Sequence, residues 1–134
     1  MKGKGNLLLY VGQKAIIEKA GKILILDDPR LGLDFPGGKL HEGDTDIIQS
    51  LKREVREETG LEIEVGESFY SWIVHFPPHP EYDINDVYLT AFKCRYISGD
   101  VALSDEHTKY HWIGKEDYKA VDDGKEHFKA LEKY

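Results

Sequence analysis

The sequence predicts an α/β fold in which a mixed β-sheet is covered by helices. Apolar runs typical of strands lie on both sides of one long amphipathic helix, and a second helix is predicted at the end of the chain. A sheet with two apolar faces is expected to bury both of them under helices. A length of 134 residues suits a single domain that spans 1–134.

The segments before the long helix are predicted to be short strands joined by turns. Apolar runs predict these strands at 6–11, 14–19 and 22–26. Ala20-Gly21 is expected to form a hairpin turn, and residues 27–35 a loop. Gly37, Gly38 and Gly43 then allow sharp turns and the close approach of a ligand to the backbone.

The segments after the long helix continue the same pattern. Alternating and aromatic-rich runs predict strands at 62–65, 69–76, 86–97 and 110–113. Three prolines within residues 77–80 predict a loop between the second and third of these strands. Residues 115–120 and 124–134 are expected to be helical.

The long helix carries three carboxylates along one border of its apolar stripe. Asp44, Thr45 or Asp46 can cap its start, and Gly60 is expected to end it. At about 100° per residue, the side chains that lie along the border are those of Glu54, Glu57 and Glu58. Like charges at this spacing repel one another, so the cluster indicates a hard divalent cation such as Mg²⁺.

The stretch from Gly38 to Leu61 resembles the Nudix box, the signature of the Nudix (MutT-like) hydrolases. That signature is a glycine, five residues, a glutamate, seven residues, and then Arg-Glu-apolar-x-Glu-Glu-x-Gly-apolar. Here the second half matches completely from Arg53 to Leu61. Two departures concern Asp44, which stands where the family has glutamate and is separated from Arg53 by eight residues rather than seven.

The departures predict a local rearrangement at the start of the helix. One extra helical residue would rotate Asp44 by about 100° away from Arg53. We therefore expect the insertion to be absorbed before the regular helix, between Asp44 and Asp46. Asp44 would then act mainly as a cap or loop brace that accepts backbone N–H groups.

The resemblance implies a Nudix-type α/β/α sandwich with a mixed sheet and a Mg²⁺-dependent hydrolase, with Mn²⁺ as another suitable cation. In the family, water attacks a phosphorus of a nucleoside diphosphate that is linked to another group. The position in the motif implies metal ligands at Gly37, through its backbone carbonyl, and at Glu54, Glu57 and Glu58. Glu54 would share a metal or act as base, and Arg53 would orient a carboxylate.

Two further sets of site residues are implied by their place relative to the motif. A later-loop acid often completes such sites, and Glu106 is our first candidate, with Asp105 second. Arg30 lies close enough in sequence to reach a phosphate. The aromatic candidates for stacking on a base are Phe35 and Trp72, together with Tyr10, Phe76 and Tyr88.

The sequence leaves the substrate open. A proline about sixteen residues beyond the box is associated in this family with ADP-ribose hydrolysis, and Pro77 lies sixteen residues after Leu61. Nucleoside triphosphates, including oxidised dGTP, and dinucleoside polyphosphates are the competing substrates. The alternative from another class is a nucleotide-sensing module that keeps the fold without hydrolysis, which would not need all three glutamates.

The composition indicates which kinds of partner and environment to expect. A net charge of −7 argues against a general nucleic-acid surface, so a small-molecule nucleotide is expected, and homodimerisation stays open. Cys94 is the single cysteine, which gives no disulfide and fits a reducing cytoplasm; it is expected to be a small buried residue in a strand. No apolar run approaches the length of a membrane span.

Overall fold

The computed structural model describes residues 5–29, 32–76, 80 and 86–134. The strands are β1 (Tyr10–Lys19), β2 (Lys22–Asp28), β3 (Gly32–Asp34), β4 (Gly37–Lys39), β5 (Glu62–His75), β6 (Asp86–Ser98) and β7 (Lys109–Ile113). The helices are α1 (Ile47–Thr59), a 3₁₀ helix (Lys115–Val121) and α2 (Glu126–Lys133). No helix in these described ranges is long and apolar enough to cross a membrane.

The strands form one mixed sheet in the order β3-β2-β1-β6-β5. β1 runs parallel to β6, and the other strand pairs are antiparallel. The short strand β4 pairs with the first half of β1, whereas β7 pairs with β2. The predicted mixed sheet is confirmed.

Each face of the sheet buries an apolar cluster under one helix. On one face Leu51 and Val55 of α1 pack with residues of β1, β2, β5 and β6. On the other face Phe128 and Leu131 of α2 pack with a second set from β1, β2, β3, β5 and β6. This arrangement confirms the α/β/α sandwich, and it places α1 and α2 on different apolar clusters.

The structure differs from the sequence prediction in four places. The runs at 6–11 and 14–19 belong to the single strand β1, which starts at Tyr10, because its parallel ladder with β6 is continuous from there to Glu18. The runs at 62–65 and 69–76 likewise form one strand, β5, which is interrupted only by shifts in register with β6. The predicted loop 27–35 contains β3, and the predicted helix at 115–120 is a 3₁₀ helix.

The start of α1 shows how the extra residue is accommodated. The helix begins at Ile47, and Asp46 is its N-cap, with the carboxylate accepting the N–H groups of Ile48 and Gln49. Gly60 ends the helix in the left-handed conformation, with φ of 77°. The insertion is therefore absorbed before the regular helix, as predicted.

Candidate active site

The strand β4 brings two glycines directly against α1. Gly37 pairs with Lys14 of β1, and its φ of 142° together with the adjacent Gln13 carbonyl leaves no room for a side chain. A Cβ at Gly38 would lie 2.8 Å from a carboxylate oxygen of Glu54. The glycines are required because the backbone itself forms one wall of the carboxylate site.

Glu58 is buried beside this wall and accepts a hydrogen bond from the Gly37 N–H at 3.2 Å. Burial raises the pKa of the Glu58 carboxyl to about 7, although Lys14 and the Gly37 N–H both act to lower it. In the absence of a cation, Glu58 therefore takes up a proton near neutral pH. A bound cation would favour its charged form.

Arg53 contacts three carboxylates at the exposed edge of α1. Its guanidinium donates to Asp44 at 2.9 and 3.2 Å and to Glu54 at 3.3 Å. Its Nε lies 3.8 Å from Glu57. This is the arrangement that a carboxylate-orienting role requires, and the role itself stays a prediction. We call Asp44, Arg53, Glu54 and Glu57 the helix-edge cluster.

The expectation that Asp44 acts mainly as a cap or brace was incomplete. Asp44 does brace the loop by accepting the His41 N–H at 2.7 Å, but the cap is Asp46. Asp44 also binds Arg53 through two hydrogen bonds, which hold the pKa of its carboxyl well below the ordinary range. Because Asp44 lies outside the helix, the loop backbone can turn its shorter side chain back toward Arg53.

The predicted metal ligands offer a donor set that suits a hard cation. Glu54 and Glu58 are buried at the wall formed by Gly37 and Gly38, whereas the Glu57 side chain is 58% exposed. Carboxylate oxygens that are buried on one side and open to solvent on the other fit Mg²⁺ or Mn²⁺, which keep several waters when bound. The Gly37 N–H donates to Glu58, and the three carboxylates are the donors that fit a Mg²⁺ or Mn²⁺ ion. The Gly37 carbonyl stays a predicted ligand.

A second group of potential ligands lies in the interior. Single donor atoms of Asp28, Asp34 and His107 fall within 4.8 Å of one another. Lys14, however, places its ammonium 3.0 Å from Asp34. Because this cation already balances the carboxylate charge, we do not assign a metal to the group.

Asp34 is instead the centre of a network that the sequence analysis missed. Its carboxylate contacts Lys14 at 3.0 Å, His107 at 2.9 Å and His127 at 3.2 Å. These four residues, called the Asp34 network below, lie far apart in sequence. The only local signals were a lysine at the start of an apolar run, Lys14, and an acid next to Phe35.

The later loop, residues 104–108, contacts the end of α1, with two of its residues exposed and one buried. The Ser104 N–H donates to the Glu58 carbonyl at 3.0 Å, which holds the loop against the end of α1. Asp105 and Glu106 are exposed, and neither makes a hydrogen bond or ion pair with another described residue. The side chain that points inward is that of His107.

The predicted aromatic contacts with substrate need correction. Phe35 and Trp72 are buried in the α2 face of the core, where each packs against the ring of His127. Neither ring presents a face on which a base could stack. Arg30, the other predicted substrate contact, lies outside the described residues, as does Pro77.

A cavity of about 500 Å³ opens between the end of β5 and the start of α2. Its lining residues are Leu33, Ile73, Val74, His75, Phe76, Gly124, Lys125, Glu126 and His127. Phe76 is partly buried and lines this cavity, whereas Tyr10 is partly buried and Tyr88 is exposed elsewhere on the described surface. The cavity is large enough for a drug-sized ligand group.

Comparisons with known proteins agree with this geometry. A family model described as NUDIX domain matches residues 11–134. The CTP pyrophosphohydrolase of Escherichia coli strain K12 is 50% identical over 58 residues, which cover 40% of this chain and 42% of that protein.

Two solved structures are similar over nearly the whole chain. The solution structure of the E. coli ORF135 protein has a TM-score of 0.73 and 26% identity, and covers 93% of this chain and 87% of that one. The crystal structure of a MutT protein from Methanosarcina mazei Go1 has a TM-score of 0.71 and 25% identity, and covers 94% and 96%.

Proposed function

Because this chain belongs to the Nudix family, we propose that it is a hydrolase that uses Mg²⁺ or Mn²⁺ to cleave the diphosphate link of a nucleotide. The observation that carries the proposal is the wall of Gly37 and Gly38 against Glu54 and Glu58. A divalent cation bound there would neutralise phosphate charge and lower the pKa of a bound water.

The residues around this site each have a definable task. Gly37 lets β4 lie against the Gln13 carbonyl of β1, and Gly38 leaves room for the Glu54 carboxylate. The Gly37 N–H fixes the Glu58 carboxylate, and Arg53 holds Glu54 and Glu57. These contacts orient anionic oxygens before the substrate arrives, which lowers the cost of organising the site.

Glu106 is proposed as the general base that removes a proton from the attacking water. It is exposed, and it lies two residues after Ser104, whose N–H donates to the Glu58 carbonyl at the end of α1. Glu106→Gln should slow turnover about 100-fold with little loss of cation affinity. A normal rate in Glu106→Gln beside a slow Asp105→Asn would transfer the role to Asp105.

The substrate that we favour is a nucleoside triphosphate, cleaved to a monophosphate and pyrophosphate. The relative that matches over 58 residues is named a CTP pyrophosphohydrolase, and a similar solved structure is described as a MutT protein. The cavity beside Phe76 is the proposed place for the base. ADP-ribose and other nucleotide sugars are the second choice.

One substrate screen tests the proposal. Canonical and oxidised nucleoside triphosphates, ADP-ribose, nucleotide sugars and diadenosine polyphosphates are incubated with the enzyme and Mg²⁺, and the products are separated by chromatography. We expect pyrophosphate from a triphosphate, and no turnover in excess EDTA. Full activity in EDTA would contradict the metal requirement. Saturable nucleotide binding without any product would support the sensing alternative.

A further inference from the structure

The Asp34 carboxylate accepts hydrogen bonds from four separate groups. One oxygen contacts the Lys14 ammonium, the His127 Nε2 and the Phe35 N–H, at 3.0, 3.2 and 2.8 Å. The other oxygen contacts the His107 Nε2 at 2.9 Å. Because a carboxylate only accepts, both imidazoles must carry their proton on Nε2. Asp34 therefore joins β1, β3, the later loop and α2.

These contacts determine the charge state of the Asp34 carboxyl group. Burial disfavours the charged carboxylate, but Lys14 and the two histidines outweigh it and hold the pKa of Asp34 well below its usual range. The same carboxylate raises the pKa of Lys14 against the effect of burial. Asp34 and Lys14 are thus a charged pair, and the Lys14 side chain is only 11% exposed.

The segment that Asp34 anchors leads directly into the active site. Two residues separate Asp34 from Gly37, and the carbonyl of the second, Pro36, accepts the Ala15 N–H at 2.7 Å. Lys14, which holds the Asp34 side chain, is also the partner of Gly37 in the ladder between β1 and β4. The segment is therefore fixed at its side chain and along its backbone.

Two routes connect the network with Glu58. The first runs from Asp34 through the backbone to Gly37, whose N–H donates to the Glu58 carboxylate. The second runs from His107 through the later loop to Ser104, whose N–H donates to the Glu58 carbonyl. His127, the remaining member, lines the cavity. The network is thus linked to Glu58 by both routes and reaches the cavity only through His127.

A contribution to folding stability does not by itself explain why the Asp34 network contains buried charges. A buried ion pair generally contributes no more than apolar residues of similar size would. By contrast, groups that orient metal ligands are costly to alter even though they never touch the metal.

We propose that Asp34 is a positioning residue for cation binding, with Lys14 as its counterion. The pair holds Gly37 in the place from which its N–H orients Glu58. The effect on turnover rests on the proposed function, whereas the effect on cation binding can be measured without any nucleotide.

The first test uses the wild-type protein and Mg²⁺ alone. NMR spectra of ¹⁵N-labelled protein are recorded during a Mg²⁺ titration. We expect the Gly37 amide and the imidazole nitrogens of His107 and His127 to shift together with one saturation curve. The exposed His75 and His111 should not move with it. Stationary His107 and His127 signals while Gly37 shifts would overturn the proposal, and so would the absence of any saturable shift at Gly37.

The second test compares two isosteric substitutions at aspartate–histidine pairs. Asp34→Asn removes the central charge, and Asp27→Asn makes the same change at the exposed pair with His111, which spans 3.2 Å. We expect Asp34→Asn to weaken Mg²⁺ binding about tenfold or more and to lower kcat more than it changes KM. The Gly37 amide of the metal-free variant should also lose protection from hydrogen exchange. Asp27→Asn should match wild type in all three measurements.

The outcomes separate this proposal from the proposed function. A folded Asp34→Asn variant with wild-type Mg²⁺ affinity and Gly37 protection would overturn the positioning role. If Asp34→Asn does not fold, Lys14→Met/Asp34→Asn leaves no unpaired charge and is measured in the same way. If neither folds, the wild-type titration decides. A wild type that binds Mg²⁺ as expected but cleaves no nucleotide would contradict only the proposed function.

Discussion

The helix-edge cluster and the Asp34 network are two groups of charges near one segment, and they differ in nearly every physical respect. The helix-edge cluster comes from residues 44–57, and its Arg53 side chain is 33% exposed. The Asp34 network joins residues between 14 and 127 and is largely shielded from water. In the first group solvent reaches Arg53 and Glu57 although Glu54 is buried, whereas all four members of the second interact in a medium of low polarity.

The difference shows how one site can exchange water and ions with solvent while its backbone is held in a fixed geometry. Carboxylates at a solvent-facing edge can exchange water, protons and cations at small cost. A shielded ion pair has one favourable arrangement, since any displacement leaves a charge uncompensated. The helix edge is suited to chemistry and the network to holding the backbone on which the chemistry depends.

The largest expected effect is on turnover, at Glu57 of the helix-edge cluster and at its buried neighbour Glu58. Glu57→Gln and Glu58→Gln each keep the side-chain shape but remove a predicted cation ligand. Each should lower kcat by about 100-fold or more, which corresponds to losing several kcal/mol of charge stabilisation. Steady-state product release with Mg²⁺ measures this.

Glu64→Gln is the control for these variants, because Glu64 is an exposed glutamate on β5 that pairs with Arg95. It should turn over at the wild-type rate. Near-normal rates in Glu57→Gln and Glu58→Gln would mean that the glutamates of α1 are only structural.

The next effect is on stability at the Asp34 network. Lys14→Met leaves the Asp34 carboxylate without its counterion and should cost about 3–5 kcal/mol of unfolding free energy in urea titrations. Lys14→Met/Asp34→Asn removes both charges and should recover much of that loss. Arg95→Met, which breaks the exposed pair with Glu64, should change little. Equal losses in the single and double variants would show that the two charges are not coupled.

The same contrast explains what the sequence could predict. The helix itself follows from local signals: Gly60 marks its end, helical periodicity places Glu54, Glu57 and Glu58 along one border, and Asp46 was one of three candidate caps. Turn residues and apolar runs predicted where most strands lie along the chain, but not that two pairs of runs merge into β1 and β5. The contact of Asp44 with Arg53 was missed because it depends on the path of a loop backbone.

The Asp34 network could not be predicted in this way. Its members are separated by up to 113 residues, and only the folded sheet brings Lys14 beside His127. Phe35 and Trp72 were misassigned for a related reason, since an aromatic residue has the same sequence signature in a core as in a binding cleft. Charge in an apolar run, as at Lys14, is the one signal that favours a buried partner.

A third prediction concerns the pH dependence of the metal-free protein. The pKa of Glu58 rises from its ordinary value of 4.5 to about 7, so folding favours its protonated form. The resulting stabilisation is complete below pH 4.5 and is lost as the pH rises through about 7. In EDTA, the wild type should therefore lose thermal stability over this window relative to Glu58→Gln, in which the group cannot ionise.

Thermal melts at several pH values between 4.5 and 8 measure this difference. Contributions from titrating groups that do not interact with Glu58 are shared by the two proteins and cancel in the comparison. Parallel curves for wild type and Glu58→Gln would contradict the raised pKa.

The smallest expected effect is the salt dependence of the contact between Asp44 and Arg53. Asp44→Asn keeps one acceptor for the His41 N–H but removes the charge that faces the guanidinium. Because the contact lies at the surface, the loss in melting temperature should be slight at low ionic strength and should shrink further in about 1 M salt, where charges are screened within about 3 Å. The shift caused by Lys14→Met should persist in the same salt, since its pair is shielded from water. If Asp44→Asn instead showed a large loss that salt did not reduce, together with a fall in turnover like that of Glu57→Gln, the helix edge would be as rigid as the Asp34 network. The division of tasks between the two clusters would then be wrong.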